Sequence, residues 1–88
     1  MKVEDALKII KRPYVTEKTL ALVEKENKLV FLVNEEASKK EIKRAIKTLY
    51  GVEVSTVNTA RTLYGKKAYV RLSPKYSAND LASKLGLA

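Results

Sequence analysis

Lys40, Lys43, Arg44 and Lys47 recur at the three- and four-residue spacing of a helix surface, and Glu41 is the only acid among residues 39 to 50. At about 100° per residue these four cations share one arc of a helix. With Lys39 at the start of the segment, they would present a row of positive charge suited to phosphate. A merely solvated helix face also carries lysine, but it usually mixes in acids for i,i+4 pairing. A second concentration is longer. From Val54 to Asn79 there is no acid, while Arg61, Lys66, Lys67, Arg71 and Lys75 fall among Tyr64, Tyr69 and Tyr76. Cations interleaved with rings suit RNA, because ammonium and guanidinium groups take phosphates while rings stack on unpaired bases. Taken singly, each tyrosine reads more readily as a packing residue with its hydroxyl turned to water. The stretch GKKAYVRL, residues 65 to 72, matches the first ribonucleoprotein signature of RNA-recognition domains only in part. Tyr69 stands where an aromatic could serve, whereas Lys67 and Leu72 occupy positions that want rings.

The whole chain carries the same bias. Eighteen Lys and Arg oppose ten Asp and Glu, a net charge of +8. The isoelectric point near 9.8 is that of a polyanion binder. Other chemistry has little to work with. The chain has neither Cys nor His, so disulfides, thiolates and the commonest general base and metal ligand are missing. Gly51, Gly65 and Gly86 form no phosphate-cradling loop. Glu35-Glu36 reads as a charged turn more readily than as an acid–base pair, which needs carboxyls converging in a pocket. No catalytic residue, metal ligand or cofactor is assigned. No apolar run approaches the roughly 18 residues of a membrane span. The start, MKVED, is acidic too early for a secretory signal, so a cytoplasmic protein is expected. Eighty-eight residues suit one domain, residues 1–88, with one modest core.

The elements that must position these residues are legible in the punctuation. VEDALKII, residues 3 to 10, reads as a short helix with acids in its first turn, limited by Pro13. Thr16 is a helix cap with Glu17 at the first helical position and Asn27 as the stop. KLVFLV, residues 28 to 33, reads as a central strand covered on both faces. Ser38 and Glu41 form a capping box that opens a helix over 39–50, with Ile42, Ala45, Ile46 and Leu49 on its apolar arc and Gly51 at its end. Residues 52 to 64 predict a long strand, Gly65-Lys66 a turn, and residues 67 to 72 a second strand closing a hairpin. Ser77 caps a last short helix with Asp80 in its first turn. A fourth strand is expected around Ile10 to Pro13. The pattern is α+β, helices packed on a small antiparallel sheet.

Three segments carry a resemblance: IKRPYVTEKT (10–19), KLVFLVNEEASKKEIKRAIKTLYGVEVSTVNT (28–59) and KKAYVRL (66–72). Together they resemble the ribosomal large-subunit protein twenty-three family, most specifically in Pro13 with Thr16-Glu17-Lys18, in the Ala37-Ser38-Lys39 helix start and in Val57-Asn58-Thr59. The resemblance implies a plait-like four-stranded antiparallel sheet in the order 1-2-4-3 with helices packed against it. It implies binding to large-subunit ribosomal RNA beside the mouth of the peptide exit tunnel, next to other ribosomal proteins. It also implies a share in the landing platform for nascent-chain factors such as the signal recognition particle. In bacterial members the glutamate of the Thr/Ser-Glu motif contacts a ribosome-bound chaperone, and Glu17 holds that position here. Lys11 and Arg12 would face RNA phosphate, and Asn58 and Thr59 are candidates for 2′-hydroxyl or base-edge contacts. Bacterial members carry a long basic loop between the last two strands, where this chain has only the short Leu63–Lys67 connection. With no long basic N-terminal extension of the eukaryotic kind either, the compact form resembles archaeal members.

A different class also fits the composition. A small protein-interaction domain could form oligomers by strand pairing through KLVFLV or the hairpin edge. The ribosomal reading expects instead a chain that is monomeric in isolation.

Overall fold

Three hydroxyl side chains open helices, as their positions predict. The computed structural model describes residues 1–87. Its elements run α1 (Val3–Ile9), β1 (Ile10–Pro13), α2 (Glu17–Glu26), β2 (Lys28–Val33), α3 (Lys39–Tyr50), β3 (Val54–Thr62), β4 (Gly65–Leu72) and α4 (Ala78–Lys84). At α3 the Glu41 N–H donates to Ser38 Oγ (3.1 Å), and the Ser38 N–H donates back to Glu41 Oε1 (3.0 Å). That bond from the Ser38 backbone, with a second from its side chain, holds the Glu41 carboxyl below the usual carboxylate range. The box at α2 is built without a glutamate: Thr16 and Thr19 exchange N–H···Oγ1 bonds of 2.7 and 3.2 Å. Ser77 Oγ accepts from the Asp80 N–H at α4.

The strands form one antiparallel sheet in the order β1-β2-β4-β3. This is the α+β, plait-like arrangement that the resemblance implies, and the short strand expected near Ile10 to Pro13 is its edge strand β1. Side chains alternate between faces along each strand. On one face Leu29, Phe31, Val33, Val57, Ala68 and Val70 join Ala6 of α1, Ile42, Ala45 and Ile46 of α3, and Leu81 and Ala82 of α4 in the core. Val30 and Leu32 point the other way and are buried too, so β2 is covered on both faces. The helix α2 packs on β2, with Leu22 lining a groove beside Lys67 and Tyr69 on that second side and Val23 joining the helix-side core. Since β1 and β4 occupy both edges of β2, KLVFLV has no free edge for pairing with another chain. That route to oligomers is closed by the topology; the sheet's outer edges belong to β1 and β3.

Two boundaries differ from the sequence reading. The turn of the hairpin is Leu63-Tyr64, not Gly65-Lys66, because Thr62 and Gly65 already pair across the strands. Thr62 Oγ1 fixes this turn, donating to the Gly65 carbonyl (2.9 Å) and accepting from the Tyr64 N–H (3.2 Å). Gly65 supplies the positive φ of 113° just past the turn, where a side chain would be strained. The strand expected over 52–64 is also shorter. Gly51, at φ 69°, ends α3, and Val52 and Glu53 form the connection, so β3 spans Val54–Thr62.

Asn27 does more than stop α2. It adopts the left-handed conformation (φ 55°). Its Nδ2 donates to the carbonyls of Leu72 (3.3 Å) and Tyr76 (3.0 Å), and its Oδ1 accepts from the Ala78 N–H (2.7 Å). One side chain thereby joins the end of α2 to the end of β4 and the start of α4.

Candidate nucleic-acid interface

The cations sort into groups according to the sheet face they share. The first group lies on α3. Ile42, Ala45 and Ile46 are fully buried against the sheet, which turns Lys40, Lys43, Arg44 and Lys47 outward, all exposed. Lys39 is exposed at the helix start. Lys43, Arg44 and Lys47 flank a shallow groove whose other wall is Glu53 and Val54 at the start of β3. Lys43 Nζ also approaches the Ser55 carbonyl at 3.4 Å, which draws the side chain toward the β3 edge. The Glu41 carboxylate is engaged at the helix start by Ser38, with a weaker pull from Arg44, and Glu53 is the acid that faces the groove beside the row.

The second group lies on the opposite face of the sheet. Cross-strand pairing sets Arg12 opposite Leu32, Leu32 opposite Lys67, and Lys67 opposite Ala60. The next row holds Val30, Tyr69 and Asn58, and the row after it Lys28, Arg71 and Thr56. Asn58, Ala60 and Thr56 are exposed. Glu26 bridges Lys28 (3.2 Å) and Arg71 (3.3 Å) and so offsets part of the charge at that end. Exposed pairs of this kind contribute only about 0–1 kcal/mol, so Arg71 can exchange this partner for a phosphate at small cost.

The remaining candidates fall apart from both groups. Thr59 pairs with Ala68 and Arg61 with Lys66 on the helix-side face, so Asn58 and Thr59 point to opposite sides of the sheet. Lys66 is largely engaged within the fold: its Nζ donates to the carbonyls of Ala37 (2.8 Å) and Glu35 (3.3 Å), anchoring the hairpin to the loop before α3. Lys11 is exposed on β1, where the register with β2 slips. Lys75 is exposed in the turn before α4, beside Tyr76 and Asp80. The basic residues therefore form no single surface. The α3 row and the Arg12–Lys67–Arg71 face look out from opposite sides of the core.

A depression of about 730 Å³ joins the second face to the start of α2. Tyr14, Thr16, Glu17, Lys18 and Leu22 line one side, and Lys67 and Tyr69 of β4 the other. Lys67 Nζ sits 3.8 Å from the centroid of the Tyr14 ring and 5.7 Å from that of Tyr64. This cation–π contact ties the hairpin to the segment entering α2. Glu17 is exposed at the first position of α2 and faces this groove. The sequence reading gave Tyr14 no role and named Lys18 only as part of the Thr16-Glu17-Lys18 motif, not as a contact residue. Their partners on β4 lie some fifty positions away, and no local spacing signals such a contact.

Comparison with known proteins supplies the family. The family model for ribosomal protein L23 matches residues 8–65, from the end of α1 through the hairpin turn. The large ribosomal subunit protein uL23 of Methanococcus vannielii is 50% identical over 84 residues, covering 94% of this chain and 98% of the relative. The proteins of the same name from Methanococcus maripaludis and Methanococcus aeolicus are 48% and 46% identical over the same coverage. Those relatives are archaeal, in keeping with the compact form of the hairpin. A family model spanning most of the chain and near end-to-end relatives lead to one conclusion: the chain belongs to the ribosomal protein L23 family, structural proteins of the large ribosomal subunit.

Proposed function

We propose that the chain binds large-subunit ribosomal RNA near the mouth of the peptide exit tunnel and helps form the platform on which nascent-chain factors dock. It works in the cytoplasm as part of the ribosome, beside neighbouring ribosomal proteins, and is monomeric before assembly. The observation that supports the RNA reading best is the α3 row: four exposed cations held in line by a fully buried opposite arc. Affinity comes from such phosphate contacts, and specificity from the shape of the folded RNA, with Asn58 placed for a base-edge or 2′-hydroxyl contact. Arg61, Lys75, Lys11 and Arg12 extend the contact area, whereas Lys66 serves the fold first.

Counterion release gives the test. Binding of the free chain to protein-free large-subunit ribosomal RNA should weaken steeply with salt, with a log–log slope of about −0.7 to −0.9 for each phosphate neutralised. If six or more cations engage, the loss between about 50 and 200 mM salt reaches roughly a thousandfold. Affinity that barely responds to salt contradicts the reading.

The docking half rests on Glu17, exposed at the start of α2 and free of any ion pair among the described residues. Ribosomes carrying Glu17→Lys should recruit the signal recognition particle or an equivalent nascent-chain factor less well in a co-sedimentation assay. Glu17→Gln, which keeps the shape and removes the charge, should show a smaller loss in the same direction. Undiminished recruitment with both variants removes Glu17 from the platform.

A further inference from the structure

We propose that the groove between α2 and β4 is a site for one unpaired RNA nucleotide, with its base against Tyr69 and its phosphate held by Lys18 and Lys67. The inference deepens the RNA-binding reading and rests on it. The volume of about 730 Å³ is that of a small-ligand site, where a spread-out protein interface would be flatter. Its walls combine what a splayed-out nucleotide requires. Tyr14 and Tyr69 offer aromatic surface, and Leu22 adds an apolar patch. Lys67 already holds its ammonium 3.8 Å from the Tyr14 ring, placing a cation beside the rings. Lys18 brings a second cation to the rim, and Glu17 is the one acid in the lining. The two ammonium groups outweigh the single carboxylate, so the groove complements an anion.

The surroundings extend the argument. Tyr69 stands on β4, an inner strand of the sheet, on the face turned away from α1 and α3. Its cross-strand neighbour Asn58 is exposed, and so are Thr56 and Ala60 alongside. A strand of RNA leaving the groove would therefore run onto a small-residue surface with Arg71 near its end. Tyr14 and Tyr69 are both half-buried, so neither ring needs to move far to present itself.

The experiment compares Tyr69→Leu and Tyr69→Phe in the full chain, with protein-free large-subunit ribosomal RNA as the probe. Leucine keeps apolar bulk over Val30 and removes the π face; phenylalanine keeps the ring. Thermal unfolding of each variant reports whether the fold is retained. Tyr69→Leu should bind about tenfold more weakly with an unchanged salt slope, since base–aromatic stacking is worth a factor of this order and involves no counterion. Tyr69→Phe should bind like the parent. Ultraviolet cross-linking of the parent complex should then join Tyr69 or Tyr14 to one nucleotide, and lose that product in Tyr69→Leu. Parent-like affinity in Tyr69→Leu, with no cross-link from either ring, overturns the nucleotide site while leaving salt-dependent binding, and so the RNA reading, standing. If the parent chain itself shows no salt-dependent RNA binding, the broader reading fails first. Loss of factor recruitment in Tyr69→Leu with RNA affinity unchanged assigns the groove to a protein and overturns the proposal too.

Discussion

Phe31→Ala should cost about 3–5 kcal/mol of folding stability, the range for removing a large aromatic side chain from a packed core. Phe31 is fully buried at the middle of the central strand β2, facing the helices. Its cross-strand neighbours are Pro13 and Ala68, neither of which has a side chain long enough to fill the space. Its ring stacks on Tyr50 of α3, with centroids 5.8 Å apart and planes tilted by 21°. Truncation therefore opens a cavity and removes the contact that fixes the end of α3 on the sheet. A chain of this length holds roughly 5–13 kcal/mol in total, so the variant would sit near the edge of folding. Urea midpoints should fall with little change of slope, and the midpoint temperature should drop by more than about 12 °C. Burial raises the Tyr50 phenol above its ordinary pKa, so the cavity should let it fall back toward that value in an ultraviolet pH titration. Phe31→Leu, which keeps most of the volume, should lose far less. A loss below about 1 kcal/mol in Phe31→Ala would mean that β2 is not the centre of the core.

That strand was legible because it is a continuous apolar run, and such runs occur where both faces are covered. Helix starts were equally legible: Ser38 with Glu41, Thr16 and Ser77 carry their caps in local sequence. The gaps have a common cause. The hairpin turn went to Leu63-Tyr64 because the Thr62 hydroxyl supports a turn that glycine spacing alone places two residues later. Asn27 reads as a helix stop, yet its amide closes contacts 45 to 51 positions away. Lys66 looks like any cation in a basic stretch, and only the fold shows that two carbonyls hold it. Composition located the positive charge but not its direction. Alternation along β3 put Asn58 and Thr59 on opposite faces, and the helix layer put the α3 row on the far side from Lys67 and Arg71. A groove made from both ends of the chain has no sequence signature at all.

Replacing Lys40, Lys43, Arg44 and Lys47 together by glutamine should weaken ribosomal RNA binding by roughly a thousandfold at about 0.1 M salt. If each cation neutralises one phosphate, the log–log salt slope loses about 3 units, and at that ionic strength each unit corresponds to about a factor of ten. The fold should survive. Glutamine is close to lysine and arginine in helix propensity, and Ile42, Ala45 and Ile46 keep the buried arc intact. Among the described residues, the side-chain hydrogen bond lost is the long one from Lys43 to the Ser55 carbonyl. Lys8 on α1 and Lys25 on α2 provide the control, because they share their helices with Glu4 and Asp5 and with Glu24 and Glu26. Their replacement by glutamine should change affinity by less than about tenfold, though it removes charge from the same molecule. A comparable loss from control and α3 variants would mean that net charge alone attracts the RNA. A loss confined to the α3 variant, with its slope reduced in proportion, would show phosphates seated along that helix. If the α3 variant bound like the parent, the RNA would have to lie on the Arg12–Lys67–Arg71 face. The two faces point away from each other, so the outcome shows whether the α3 side is among the surfaces that the RNA covers.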